Sequence, residues 1–347
     1  MSELDARILI VDDSAFMRKI LSEQISTIEG LTVAGTAVNG EMALEKISIL
    51  NPDAVTLDVE MPGMNGLEVV KRIREHSDIP VFMISSISGT EITIQALEAG
   101  ATDFIKKPEN LLREPSHFQK QIETKMQSLL QKNATFEKEE GVKWQEKIEK
   151  NTAIEWDQLS PKVIVMGAST GGPRVIMEII KNLPADFPYP ILIVQHMPAG
   201  FTASFAERLN ASAKLTVKEA KGGEKLKSGN VYLAPGNYHM TILNHTIHLH
   251  QQNKLHGVRP AVDFLFETAG EQFGADVIGI ILTGMGRDGT EGMQTIKRFG
   301  GVTIAQNKKT STVYGMPGHA VKTGVVDIST DVQGISCILN KLVKVKE

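Results

Sequence analysis

The segment Gly167-Ala168-Ser169-Thr170-Gly171-Gly172-Pro173 follows an apolar run at 163–166 and precedes a helical pattern. Strand, tight turn and helix in that order lift one side chain clear of the backbone, and here that side chain is Ser169. The surrounding glycines permit the torsions such a turn demands. The spacing fits the G-x-S-x-G nucleophile elbow. A phosphate-binding loop and a plain turn use the same residue types, so the catalytic reading needs a base and a carboxylate elsewhere. His196 follows the apolar run 189–194, and Asp288 lies in the glycine-rich turn after 277–282. All three residues close a strand, and strand ends on one sheet edge lie near enough for side chains to converge. Serine needs a histidine to take its proton, and the histidine needs a carboxylate to fix its tautomer and stabilise its cation. The backbone N–H of Thr170 or Met285 could then serve an oxyanion. The order Ser, His, Asp differs from that of α/β-hydrolases, which would require a late histidine such as His319 and a longer sheet after the serine.

A second set of polar residues closes strands nearer the N-terminus. Asp12 and Asp13 end the run 7–11, Asp58 ends 54–57, Ser85 ends 80–84 and Lys107 ends 102–105. Converging carboxylates repel one another unless a cation intervenes, and oxygen-only ligands favour Mg²⁺. A hydroxyl and an ammonium facing them are what a phosphorylated aspartate needs for charge balance. Any one of these acids alone would be a helix cap or a solvated loop. Several at matching strand ends argue for a site.

Positioning these residues takes two α/β halves. Residues 7–125 alternate five strand-like runs with helical patterns, which predicts a doubly wound parallel sheet of (βα)5 type. Residues 119–150 are dense in charge and glutamine, so 1–125 reads as the first domain and 126–160 as an interdomain linker. Ile122, Met126, Leu129 and Leu130 keep helical spacing into that stretch. Residues 161–347 predict a second doubly wound α/β domain. There 214–217, 230–234, 239–243 and 246–250 suggest hairpins on one flank of the sheet.

Hydrophobic residues make up 41% of the chain and charged residues 22%, as in ordinary globular proteins. A net charge of −4 leaves no basic footprint for nucleic acid, and no basic helix-turn-helix is visible. The single cysteine, Cys337, excludes an internal disulfide and, lying in an apolar helical pattern, is expected in the core. No signal-like leader or membrane-length apolar run is present, so a cytoplasmic protein without membrane insertion is expected. His239, His245, His248 and His250 crowd one region. Without Cys or H-E-x-x-H they read as exposed or edge-strand histidines, and His256 and His319 as loop residues.

Both halves resemble known families. I-L-I-V-D-D-S (8–14), L-D-V-E-M-P-G-M-N-G (57–66), I-S-S (84–86) and A-G-A-T-D-F-I-K-K-P (99–108) resemble a response-regulator receiver domain. The resemblance implies that Asp58 accepts a phosphoryl group from a histidine kinase. It implies that Asp12, Asp13, Asp58 and the Glu60 carbonyl hold Mg²⁺, that Ser85 and Lys107 contact the phosphoryl group, and that Phe104 is the aromatic switch. G-A-S-T-G-G-P (167–173), Q-H-M-P (195–198), L-A-P-G (233–236), L-T-G-M-G-R-D-G (282–289) and Y-G-M-P-G-H-A (314–320) resemble the chemotaxis protein-glutamate methylesterases of CheB type. That resemblance implies a Ser169–His196–Asp288 triad with no cofactor. Its substrates would be γ-glutamyl methyl esters of methyl-accepting chemoreceptors, with deamidation of receptor glutamines as a companion activity. Gly318-His319 departs from the family's usual charged or larger residues, which bears on substrate contact.

Overall fold

The computed structural model describes residues 5–108, 115–131, 154–156 and 159–343. The chain divides into two compact units, one within 1–136 and one within 137–347. In the first, strands β1 (Ala6–Val11), β2 (Leu31–Ala37), β3 (Ala54–Asp58), β4 (Val81–Ser85) and β5 (Asp103–Lys106) alternate with five helices. These are α1 (Ala15–Ser26), α2 (Gly40–Leu50), α3 (Gly66–Arg74), α4 (Thr90–Glu98) and α5 (Pro115–Gln131). Helix starts are written locally. Ser14 and Asn39 accept N–H bonds from Met17 and Met42, and Asn65 with Glu68 forms a reciprocal capping box.

The five strands run parallel in the order β2-β1-β3-β4-β5. Buried on both faces, β3 and β4 carry no exposed residue, as continuous apolar strands of a covered parallel sheet require. Ile8, Ile10, Leu21, Ile25, Phe82 and Ile84 form the core beneath α1 and α5, joined by Phe118 and Ile122. The chain leaves β1 in one direction for β2 and then crosses to β3, so the crevice between β1 and β3 is the reversal point where such sheets bind ligands. Helix α5 continues to Gln131, past residue 125. Most of the expected linker 126–160, and the side chains of Leu129 and Leu130, lie outside the described residues.

The second unit has a seven-stranded parallel sheet and a two-stranded antiparallel one. Its elements are β6 (Val163–Ala168), α6 (Gly172–Lys181), β7 (Ile191–Gln195), α7 (Phe201–Ser212), β8 (Thr216–Glu219), β9 (Asn230–Leu233), β10 (His239–Leu243), β11 (Thr246–His250), α8 (Val262–Phe273), β12 (Val277–Ile281), α9 (Thr290–Arg298), β13 (Val302–Gln306), α10 (Met316–Lys322), β14 (Ile328–Thr330) and α11 (Val332–Lys341). The sheet order is β14-β13-β12-β6-β7-β9-β8. Among the described residues only β10 and β11 form a hairpin, closed at Asn244-His245 with φ of 50° and 57°, the left-handed pair a tight two-residue turn needs. Strands β8 and β9 do not join it. They pair in parallel with each other, and β9 pairs in parallel with β7, which corrects the expectation of hairpins at 214–217 and 230–234.

Two further expectations are corrected here. Cys337 is exposed, because α11 turns Val332, Ile335 and Leu339 to the core and leaves the cysteine on the opposite face. His319, expected in a loop, lies within helix α10 (Met316–Lys322). His239 stands on an edge strand, as expected, and is fully buried there. Its Nδ1 accepts from the Ala261 N–H at 3.1 Å, and its Nε2 donates to the Asn253 carbonyl at 3.2 Å.

Candidate active site

Strands β12, β6 and β7 are adjacent at the centre of the large sheet, and Ser169, His196 and Asp288 follow their carboxyl ends. The chain runs from β6 to β7 on one side and returns to β12 on the other, so these strands flank the reversal point. Backbone bonds extend past the strands and lock the three loops together. Ser169 N–H donates to the Thr283 carbonyl at 3.0 Å, His196 N–H to Ala168 at 3.0 Å and Leu282 N–H to Gly167 at 2.8 Å. The serine turn depends on two glycines. Gly171 has φ of +79°, and a Cβ on Gly172 would sit 2.1 Å from Gln195 Oε1.

His196 Nε2 lies 2.7 Å from Asp288 Oδ2, with both side chains largely buried. That bond engages Nε2 and leaves Nδ1 outside the pair. Among the described residues, Ser169 Oγ makes no hydrogen bond. Catalytic bonds of this kind are often long without substrate and tighten in the complex. Asp288 also accepts the Val262 N–H at Oδ2, 2.7 Å, and the Asp263 N–H at Oδ1, 3.1 Å, at the start of α8. Burial pushes the Asp288 carboxyl up. Its hydrogen bond to His196, the charge of His196 and the two N–H donors outweigh burial and hold it below its ordinary value. It is therefore ionised and ready to stabilise an imidazolium.

Thr170 and Met285 flank the serine. The Thr170 carbonyl accepts from Thr283 Oγ1 at 2.9 Å. Gly284, just before Met285, packs so tightly that a Cβ there would come within 2.8 Å of Ser169 Cβ. Neither the Thr170 nor the Met285 N–H has a hydrogen-bond partner among the described residues, so both remain available as donors. His319 lies off the triad, bonded through Nδ1 to Thr290 Oγ1 at 3.0 Å.

Sequence reasoning missed two contributors. Gln195 Nε2 donates to the Ser169 carbonyl at 2.9 Å and to the His196 carbonyl at 3.2 Å, joining the nucleophile loop to the base loop from a fully buried position. Its place just before His196 was the only available signal. Asp263, also fully buried, accepts the Gly292 N–H at 2.8 Å and bonds His256 Nε2 at 3.0 Å. Nothing in its local sequence marks it, since a first-turn aspartate is an ordinary helix feature.

In the first unit, Asp12, Asp13 and Asp58 bring carboxylate oxygens within 4.8 Å of one another. Lys107 Nζ lies 2.8 Å from Asp58 Oδ1 and 3.4 Å from Asp12 Oδ2. Arg18 Nη1 donates to the carbonyls of Asp12 and Asp13, both at 2.9 Å, which fixes the acidic loop. Burial, together with the Asp12 charge, pushes the Asp58 carboxyl up to about 6, against the pull of Lys107 and the Glu60 N–H. Burial also works against the Lys107 charge, but Asp58 and Asp12 overcome it and raise the ammonium. Ser85 Oγ donates to the Ser86 carbonyl at 2.9 Å and accepts from Thr93 Oγ1 at 2.6 Å. Phe104 is buried, with Lys125 Nζ 6.0 Å from its ring centroid.

Comparisons with known proteins cover both units. The CheB methylesterase family profile matches residues 164–339, and that of the response regulator receiver domain matches residues 8–119. A curated protein-glutamate methylesterase/protein-glutamine glutaminase of Pyrococcus horikoshii is 40% identical over 350 residues, covering 98% of this chain and 94% of that protein. A protein of the same description from Thermotoga maritima is 41% identical over 333 residues, covering 94% and 95%. Among solved structures, the Thermotoga maritima CheB methylesterase catalytic domain is 46% identical with a TM-score of 0.51. That match covers 53% of this chain and all of that domain.

Proposed function

The chain belongs to the CheB methylesterase family, with a response regulator receiver domain ahead of the esterase domain, and on that premise we propose the reaction and its residues. The enzyme removes methyl esters from glutamate side chains of chemoreceptors in the cytoplasm and also deamidates receptor glutamines. Ser169 Oγ attacks the ester carbonyl as His196 Nδ1 takes its proton. Asp288 stabilises the imidazolium, and the N–H groups of Thr170 and Met285 serve the oxyanion. Collapse expels methanol with the proton from His196 and leaves an acyl-enzyme. Water, deprotonated by His196, then releases glutamate and restores Ser169. An amide follows the same path with ammonia as the leaving group. The observation supporting this reading is the 2.7 Å His196–Asp288 bond on the two strand ends that flank Ser169.

In the receiver, Asp58 accepts phosphoryl from a histidine kinase, Ser85 and Lys107 contact the transferred group, and Phe104 repacks. The acidic cluster fits a small hard cation. Its donors are all oxygen, and Asp12 Oδ2 is buried without a hydrogen-bond partner. Asp12, Asp13, Asp58 and the Glu60 carbonyl would hold Mg²⁺, which supplies positive charge to offset the carboxylates and the phosphoryl oxygens. None of the described helices is long and apolar enough to cross a membrane.

Methanol release from methylated receptors tests the esterase reading. Ser169→Ala is expected to abolish it while melting as the parent does. Unchanged release would remove Ser169 from the mechanism.

A further inference from the structure

Behind the His196–Asp288 pair lies a second pair that no step of the ester reaction uses. Asp263 and Asp288 are both buried at the start of α8, and their carboxylate oxygens lie within 4.8 Å of one another and of the His256 imidazole. Two buried carboxylates so close are not both comfortably ionised. The backbone divides them unequally. Asp288 receives two N–H groups of α8 and His196, whereas Asp263 receives one N–H, that of Gly292, and His256. Burial and the Asp288 charge accordingly push Asp263 from 3.8 to about 7, against the pull of the Gly292 N–H and His256. His256 reaches Asp263 from a left-handed backbone conformation, φ +52°, unusual for a residue with a side chain. Strain of this sort persists where surrounding contacts enforce it, often at functional sites.

We propose that Asp263 and His256 form a second acid–base pair behind Asp288, acting as positioning residues whose charge sets the pH range over which His196 can accept the proton of Ser169. The proposal deepens the esterase reading and rests on it. When Asp263 ionises, negative charge appears beside Asp288 and favours protonated His196. When Asp263 holds its proton, that support is withdrawn and His196 gives up its proton more readily. Other charges act on the same neighbourhood. His319, on α10, faces His256, and the charges of Arg287 and Lys322 act on His319 in turn. Glu267 and Glu291 add negative charge where α8 meets α9, and His239 faces Asp288 from the hairpin side. Among these groups, Asp263 combines full burial with a direct approach to Asp288.

The test measures kcat/KM for methanol release from methylated receptors between pH 5.5 and 9 in the full-length enzyme, Asp263→Asn and His256→Gln. Asn keeps an acceptor for the Gly292 N–H but cannot ionise. Its acid limb is expected to move down by about 0.5–1 pH unit, with a plateau about threefold to tenfold lower and KM unchanged. His256→Gln removes a contact that favours ionised Asp263, so its limb should move the same way. A uniform loss of rate with an unmoved limb in both variants overturns the proposal and leaves a packing role. A second readout is independent of turnover. In the Ser169→Ala protein, the Asp263 carboxyl carbon is expected to titrate near neutral pH by NMR, and titration in the ordinary carboxylate range overturns the proposal. Stability carries the same charge effect with a fixed sign. A carboxyl raised on folding contributes stability that is full below its unfolded value and is lost as pH rises toward about 7, so Asp263→Asn should gain on the parent across that interval. Retained methanol release in Ser169→Ala would instead sink the esterase reading, whatever the Asp263 variants do.

Discussion

Each unit puts a buried aspartate at a strand end beside the reversal point of its parallel sheet, and the two are driven in opposite directions. Asp58 is pushed up to about 6 by burial and by Asp12, with Lys107 and the Glu60 N–H opposing. Asp288 is more deeply enclosed yet held low, because His196 and two backbone N–H groups of α8 address it directly. On the reading proposed above, the same residue type in the same kind of fold location would do two kinds of chemistry. In the receiver, unbalanced negative charge would call for a cation and make the carboxylate the group to be modified. In the esterase, the charge is met by His196 and two backbone N–H groups, and the carboxylate would serve as a fixed electrostatic support. Fold alone gives the place, and neighbouring donors give the function.

Breaking the contrast at Asp58 has the largest expected effect. Asp58→Asn removes the nucleophilic carboxylate while keeping its shape, so labelling by a small phosphodonor or a phosphorylated histidine kinase should disappear. Persistent Mg²⁺-dependent labelling would place the acceptor elsewhere.

Breaking it at Asp288 comes next. Asp288→Asn is expected to lower kcat by roughly 10³–10⁴-fold with receptor binding kept, since an amide cannot support the imidazolium of His196 in the same way. A near-normal kcat would reduce Asp288 to a turn residue.

Gln195 sharpens the comparison, because the esterase loops are tied by a buried side chain. Gln195→Leu keeps the volume but removes both donor bonds. A stability loss of about 1–3 kcal/mol by denaturant titration is expected. A kcat lower by about tenfold should accompany it as Ser169 and His196 drift apart. Lost stability with unaltered kcat would show that the clamp is structural only.

The smallest expected effect is on the pH dependence of stability, where the two aspartates have opposite signs. Asp288 is held low, so its contribution is present above the unfolded carboxylate range and is lost as pH falls through its folded value. The penalty of Asp288→Asn should therefore shrink on acidification. Asp58 is raised, so in metal-free buffer its contribution falls as pH rises from about 4 toward 6. Asp58→Asn should then gain on the parent, and added Mg²⁺ should reduce that gain. Thermal melts across pH with and without Mg²⁺ read both, and parallel trends for the two variants would erase the contrast.

Much of this protein was legible in local sequence because its signals are local. Apolar runs marked β3, β4, β6, β7 and β12 most clearly, since a strand buried on both faces is largely apolar. Glycines marked the turn that presents Ser169, and Asp12, Asp58, His196 and Asp288 were found because each stands just after such a run. Tertiary structure decided what depends on strand order and helix facing. Residues 214–217 and 230–234 look the same whether they pair as a hairpin or in parallel, and only the sheet places β9 beside β7 and β8 beyond β9. Cys337 faces outward against its core expectation, and His239 is buried on its edge strand, because one residue's step around a helix, or one packed ring, settles burial. Asp263 lies 25 residues from Asp288 in sequence, and no spacing rule links them. Their meeting requires α8 to begin where the β12 loop turns. Residue type and position near a strand end supplied the candidates, and long-range packing decided which charges each of them faces.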